Sequence, residues 1–313
     1  MRAARIHRFG GPDVLQLDEV GVPKPKRDEL LVRIHATSLN HIDVGMRRGD
    51  LAVFTLGRLP LTLGFDLAGE VVACGAQVTA FAPGDRVFGA IGHRGGAAAD
   101  YACVKQSRVA RVPPSVALTT LAAVPIAGLT ALQALRVYAR LRPGQRVLVN
   151  GASGGVGAFG VALAKLFGGK VTGVCSEAKR DFVLGLGADE VLDYRNVDFT
   201  RLNRRWEVVF DAAGNRTFGE VSRVLSPRGV MVTIRLAPRV ALSMLSPTRR
   251  TARRLAFVPA RERSIDLAFL ASLIEQGELH VPVDRTFRFE EIRAAHQHLE
   301  TGDVRGKIVV KLL

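Results

Sequence analysis

The run Asn150-Gly-Ala-Ser-Gly-Gly-Val-Gly157 sets three glycines, Gly151, Gly154 and Gly157, three residues apart. It follows a short apolar stretch, Arg146-Val-Leu-Val-Asn150, and precedes Val156, Phe159, Gly160, Leu163 and Phe167 at helical spacing. Strand, glycine-rich turn and helix start, in that order, make an anion site. Missing Cβ atoms let the backbone approach a pyrophosphate, and the helix offers unpaired N–H groups and the positive end of its dipole. The spacing is a GxxGxxG variant of the dinucleotide fingerprint. Ser153, Gly154, Gly155, Val156 and Gly157 are therefore the expected cofactor contacts.

The end of the next apolar strand, Lys170-Val-Thr-Gly-Val-Cys175, selects the dinucleotide. A carboxylate there would take a ribose 2′-OH, and Glu177 stands at a suitable spacing, about 20 residues after the last glycine. It is expected to turn away on the start of the following helix. Ser176, Lys179 and Arg180 suit a 2′-phosphate by hydrogen bonds and charge, so the expected cofactor is NADPH. Asn215, beyond the strand Val208-Val-Phe-Asp211, is also expected to touch it.

These residues need a scaffold to position them. Residues before Leu118 read as β-rich, with strands at Glu29–Ala36, Gly69–Ala73 and Asp85–Gly89 separated by glycine and proline turns. From Leu118 strand and helix alternate. Strands follow at 146–150, 170–175, 191–194, 208–211 and 230–234, and a helix ends at Leu186 before Gly187. This pattern means βαβ units and a parallel sheet. Residues 237–263 carry Arg239, Arg249, Arg250, Arg253, Arg254, Arg261 and Arg263 and give no clear periodicity. A helix is expected over Ser264–Gln276, with Ser264 as N-cap and Gly277 past its end. Another is expected over about Glu290–Glu300 and a last strand over Gly306–Lys311.

The chain resembles the zinc-independent, quinone oxidoreductase (zeta-crystallin-like) branch of the medium-chain dehydrogenase/reductase superfamily over essentially its whole length. The resemblance rests on Gly10-Gly-Pro-Asp-Val-Leu15, Ser38-Leu-Asn-His-Ile-Asp43, Gly64-Phe-Asp-Leu-Ala-Gly-Glu-Val71 and Pro83-Gly-Asp-Arg-Val-Phe88. It continues in Ala127-Gly-Leu-Thr-Ala-Leu132, the glycine turn, Leu186-Gly-Ala-Asp-Glu-Val191 and Arg305-Gly-Lys-Ile-Val-Val310. It implies an α/β chain with two domains. One is a chaperonin-10-like β-barrel catalytic domain, residues 1–118 rejoined by 264–313. The other is a Rossmann doubly wound parallel sheet, residues 119–263, with the active site in the cleft between them. It also implies hydride transfer from NADPH to a quinone or an α,β-unsaturated carbonyl compound. Tyr194 is implied beside the 2′-phosphate with Lys179, and Asn40 and Thr130 near the nicotinamide as the catalytic positions.

Zinc-dependent members bind their metal through a Cys-His-Cys set. The aligned positions here are Asn40, Phe65 and Ile126, and no zinc ligand is among them. Nor does Gly89–Tyr101 hold the cysteines of a structural zinc loop. No metal is expected. Two departures concern the substrate. Val44–Ala52 lacks the tyrosines common in this branch, so no tyrosine proton donor carries over, and water is the expected proton source. Thr233-Ile-Arg-Leu236 replaces a glycine-rich turn, so Ile234 and Arg235 narrow the site or add a cation.

The 313 residues are 48% hydrophobic and 23% charged, a globular balance for about two domains of about 150 residues. Three cysteines, Cys74, Cys103 and Cys175, exclude a disulfide framework and suit a reducing cytoplasm. Two uncharged runs, between Arg111 and Arg136 and between Arg146 and Lys165, hold prolines or a glycine cluster and read as core elements, so no membrane span is expected. His41 and Asp43 read as structural, His93 as a solvated loop residue, Cys175 as core, and His296 and His298 as surface residues. A net charge of +15 raises the alternative of a polyanion-binding protein that keeps NADPH as an effector, with Arg249, Arg250, Arg253 and Arg254 as its contacts. No helix-turn-helix or RNP-like pattern supports it, and a nucleic-acid partner is not expected. An enoyl-thioester reductase is the alternative among enzymes, with basic residues near Arg235–Arg263 receiving a carrier phosphate. The expected partners are a small-molecule substrate and a second copy of the chain, paired edge to edge near Gly229–Leu236.

Overall fold

A computed structural model describes residues 1–55, 57–92, 95–235 and 252–313. It contains two compact units, Met1–Ala127 with Glu262–Leu313, and Gly128–Arg261. His93, Leu236, Arg239, Arg249 and Arg250 lie outside the described residues.

The first unit is built around the long strand Glu29–Leu39. Leu30, Val32, Ile34 and Ala36 alternate inward and are fully buried. Asp66–Cys74 pairs antiparallel along one side. On the other side Tyr101–Lys105 pairs with residues 29–33 and Lys307–Lys311 with residues 36–39. The sheet continues through Arg86–Ala90 to Val109–Arg111. At its other end Val283–Arg288 runs parallel to Lys307–Lys311. Irregular register between Leu31 and Val32 and between Ile34 and Ala36 bends the long strand. A Cβ on Gly69 would lie 2.0 Å from the Arg33 carbonyl oxygen, so this strand crossing accepts only glycine. A three-stranded sheet of Leu15–Glu19, Arg2–Ile6 and Leu61–Thr62 adds to this chaperonin-10-like barrel.

Three expectations in this unit need correction. The helix is Ser264–Glu275 with Arg263 at the N-cap, and Ser264 is its first helical residue. No side chain caps that end, and Asp266 in the first turn supplies the negative charge. The other helix begins later than expected, at Ile292, after a 3-10 turn over Phe289–Glu291. On it His296 is fully buried, not a surface residue. Ile292, Ala295, His296 and Leu299 occupy the i, i+3, i+4, i+7 face that packs inward. His298 is half-buried and bonds Asp284 at 2.7 Å.

The second unit holds a six-stranded parallel sheet in the order Glu190–Asp193, Lys170–Cys175, Arg146–Asn150, Trp206–Asp211, Leu225–Thr233, Arg254–Phe257. The order reverses at Arg146–Asn150, and doubly wound sheets bind ligands outside the carboxyl ends of the strands at that point. Leu225–Thr233 is not the edge strand that an edge-to-edge dimer at Gly229–Leu236 would need, because Arg254–Phe257 covers it. The arginines around that four-residue strand hid it in the sequence. Both uncharged runs resolve into short elements, and among the described residues no helix is long and apolar enough to cross a membrane.

Candidate active site

In the second unit the first strand ends at Asn150 and the chain turns through Gly151 at φ +79°. The N–H groups of Gly151 and Ala152 both donate to the Val174 carbonyl, at 3.1 and 2.9 Å, which hooks the turn onto the neighbouring strand. Gly154 is the extended N-cap of the helix Gly155–Leu166. A Cβ on Gly157 would lie 2.0 Å from the Gly151 carbonyl oxygen, so that glycine closes the helix onto the turn. A Cβ on Gly154 would meet nothing nearer than that same oxygen at 3.6 Å. The turn is tight beneath and open above Gly154, at a helix N-terminus, and this geometry fits a pyrophosphate. Ser153, Gly154, Gly155 and Val156 are half-buried there and Gly157 is buried.

Asn150 ties the turn to the loop after the fourth strand. Its Nδ2 donates to Asp211 Oδ1 and Asn215 Oδ1, each at 2.8 Å. The fully buried Asp211 carboxylate also accepts the N–H groups of Gly214 and Arg216. Burial raises its pKa, and those hydrogen bonds oppose the rise. Asn215 is thus held at the same end of the sheet as the glycine turn. Arg235 is exposed and packs beside it, since a Cβ on Gly214 would lie 2.7 Å from Arg235 Cβ.

The second strand ends at Cys175, which is core: burial raises its thiol pKa to about 11. Tyr194 N–H donates to the Cys175 carbonyl at 3.1 Å, which sets Tyr194 beside Ser176. The Tyr194 ring is exposed, with the Arg195 guanidinium 5.9 Å from its centroid. Lys179 closes the 3-10 turn Glu177–Lys179 and is largely buried. Arg180 is committed elsewhere. Its Nε and Nη2 bond the Glu177 carboxylate at 2.6 and 2.8 Å, and its Nη1 donates to the Val191 carbonyl. Glu177 and Arg180 satisfy each other. Sequence reasoning missed Arg195, although its place next to Tyr194 was a signal. Thr130 is buried in the helix Pro125–Gln133, whose Gln133 amide exchanges two hydrogen bonds with the Arg261 backbone. A cavity of about 510 Å³ lined by Arg146, Lys170, Glu190, Arg204 and Trp206 lies at the amino ends of the strands, away from the glycine turn.

In the first unit Asn40 ends the long strand and starts the helix His41–Arg48. Asp43 Oδ2 accepts the Asn40 N–H and its Oδ1 the Gly64 N–H, each at 2.9 Å. This is the structural role expected of Asp43. Its pKa is pushed up to about 7, by burial first and also by Asp66 nearby, against those two N–H bonds. Burial and the Lys307 charge depress the pKa of His41.

Two residues that sequence reasoning passed over complete this cluster. Asp66 Oδ2 accepts Ser38 Oγ at 2.6 Å and Asn40 Nδ2 at 2.8 Å, and its Oδ1 accepts the Ile126 N–H at 2.9 Å. Lys307 Nζ donates to Asn40 Oδ1 at 2.5 Å, to the Leu39 carbonyl at 2.9 Å and to Asp66 Oδ2 at 3.3 Å. Burial lowers the pKa of Lys307, opposed by Asp66 and Asp43. The three positions aligned with zinc ligands do not fit the metal. Phe65 is core, Ile126 offers only its backbone, and the carboxamide oxygen of Asn40 faces an ammonium. Among the described residues no group of three or more His, Cys, Asp or Glu side chains is arranged to hold a metal ion.

A family model described as "Alcohol dehydrogenase GroES-like domain" matches residues 26–114, and one described as "Zinc-binding dehydrogenase" matches residues 186–310. The chain is 34% identical to the chloroplastic quinone-oxidoreductase homolog of Spinacia oleracea, over 96% of this chain and 95% of that one. It is similar to the solved quinone oxidoreductase of Coxiella burnetii, with a TM-score of 0.92 and 31% identity, covering 100% and 99% of the two chains. The Escherichia coli quinone oxidoreductase complexed with NADPH gives 0.88 and 26%, covering 100% of both.

Proposed function

The chain belongs to the quinone oxidoreductase type of medium-chain dehydrogenase/reductases and is an oxidoreductase using a nicotinamide cofactor, and on that footing we propose that it reduces a quinone or an α,β-unsaturated carbonyl compound with NADPH and without zinc. The observation that carries the cofactor choice is the end of the second strand. There Arg180 occupies the Glu177 carboxylate that would otherwise serve NADH, while the exposed Tyr194 and Arg195 stand beside the largely buried Ser176 and Lys179. The open backbone at Ser153–Gly157 takes the pyrophosphate, and Asn215 holds its far side.

When bound, NADPH supplies the hydride. As carbon accepts it, negative charge gathers on the substrate oxygen, Asn40 donates a hydrogen bond to that oxygen, and water supplies the proton. Thr130 orients the nicotinamide. Catalysis then rests on position and on fixed donors. The absence of zinc in this reading is supported by the ammonium at Asn40, which would repel a divalent cation there.

An enoyl-thioester substrate is the second reading, favoured by the exposed Arg235 beside Gly214, where a carrier phosphate would bind. Comparing turnover of a quinone, a free enone and an enoyl-CoA separates the two. We also propose a homodimer in the cytoplasm, where three free thiols are stable. A single-chain mass by light scattering would refute the dimer. The cofactor choice is tested by saturation binding: NADPH is expected to bind tighter than NADH, and the reverse order overturns it.

A further inference from the structure

Lys307 occupies the first position of the strand Lys307–Lys311 and is buried with the three apolar residues that follow it, whereas Lys311 at the far end is exposed. An ammonium in that place is costly unless its surroundings use it. Each of its three N–H bonds is spent inside the protein, on the Leu39 carbonyl, Asn40 Oδ1 and Asp66 Oδ2. Lys307 therefore has no hydrogen left for a substrate and can act only through a neighbour.

A salt bridge that merely neutralises Asp66 would place the ammonium closest to that carboxylate. The distances run the other way: 2.5 Å to the Asn40 amide oxygen and 3.3 Å to Asp66. Asp66 is already served by Ser38, Asn40 and the Ile126 N–H. The amide of Asn40 is consequently read at both ends, its oxygen against a cation and one N–H against an anion. A flip would set N–H against ammonium and oxygen against carboxylate, so one orientation survives. One Nδ2–H remains. A cation on the amide oxygen withdraws charge from the nitrogen, and in a low-dielectric cluster that strengthens the remaining donor.

We propose that Lys307, braced by Asp66, is a positioning residue that fixes and polarises the Asn40 carboxamide so that its remaining N–H stabilises the charge developing on the substrate oxygen. The fixed ammonium thereby does at one remove what the metal does directly in zinc-dependent members. This rests on the carbonyl-reduction reading above.

The test uses the full-length enzyme in three forms: wild type, Lys307→Met, and Lys307→Met combined with Asp66→Asn. The single variant leaves Asp66 uncompensated and is expected to lose thermal stability. The double variant removes both charges and is expected to recover it. In both, kcat for a quinone or enone should fall by about tenfold or more, with NADPH Kd within about twofold of wild type. Adding Asn40→Ala to the double variant should lower kcat by less than about twofold further, since the two residues act as a unit. A double variant that regains both stability and kcat would show that Lys307 only neutralises Asp66, and would overturn the proposal. The Asn40 side-chain amide resonances give a readout without turnover. Two distinct, exchange-protected protons are expected in wild type, with protection lost in the double variant. Should the wild type reduce no carbonyl, the functional reading fails and these resonances still decide the positioning claim: identical spectra for wild type and double variant would sink it.

Discussion

Gly154 and Gly157 are both part of one glycine turn, yet their surroundings predict opposite behaviour. Gly157→Ala forces a Cβ to 2.0 Å from the Gly151 carbonyl oxygen and should cost about 1–3 kcal/mol of stability, visible in denaturant unfolding. Gly154→Ala has room in the folded chain and should leave unfolding unchanged, while the added methyl weakens NADPH binding about tenfold by calorimetry. Equal loss of stability in both would mean that the space above Gly154 is not open, and unchanged NADPH binding in Gly154→Ala would mean that it is not the cofactor's. At the other end of the cofactor, Arg180→Gln should shift the preference toward NADH by about twofold or more, because it releases the Glu177 carboxylate that Arg180 occupies. Arg195→Gln should reduce NADPH affinity and spare NADH. The glycine turn was legible because spacing and context carry it. The Asp66–Lys307 pair was not, because its members are 241 residues apart and a lysine in a strand ordinarily reads as exposed.

Strands buried on both faces announce themselves as continuous apolar runs, which is why Arg146–Asn150 and Lys170–Cys175 have the bounds the sequence gives them. Arg254–Phe257 has only four residues among arginines and shows no such run. His296 shows the opposite failure, since its spacing from Ile292, Ala295 and Leu299 marks it as inward even though His298, two residues on, lies on another face. Its folded pKa is driven down to about 3 by burial first and then by Arg47, so the unfolded chain takes up the proton first. Its contribution is complete above the unfolded value of 6.5 and is lost as pH falls toward 3. His296→Phe should therefore flatten the fall of Tm across that window, and an unchanged slope would refute the assignment. Across the parallel sheet, Glu207 joins three strands by accepting Arg146 and Ser226. Arg146 holds its pKa down at about 2, so the stabilisation is full above 4.5 and disappears as pH falls through about 2. Glu207→Gln should cost about 1 kcal/mol at neutral pH and nothing at the acid end, as urea unfolding at both pH values would show.

The whole chain carries +15, the excess of 44 Lys and Arg over 29 Asp and Glu, and several of its arginines have local partners. Arg2 bridges Asp100 and Glu290, Arg204 pairs with Glu190, and Arg253 donates to the Leu225 carbonyl. Of the four arginines on which the polyanion alternative rests, Arg249 and Arg250 lie outside the described residues and Arg253 is bonded to a backbone carbonyl. The barrel and the parallel sheet were legible as wholes because turn glycines and strand–helix alternation survive in the sequence; the residues that select a substrate, around Val44–Ala52 and Ile234–Arg235, follow no such pattern. The central claim is therefore best tested by turnover itself, following oxidation of NADPH and of NADH by the purified chain with a quinone, a free enone and an enoyl-CoA. NADPH should be consumed with the quinone or the enone, at a higher kcat/KM than NADH and undiminished by a zinc chelator. No oxidation with any acceptor, or activity lost on chelation, would contradict the account.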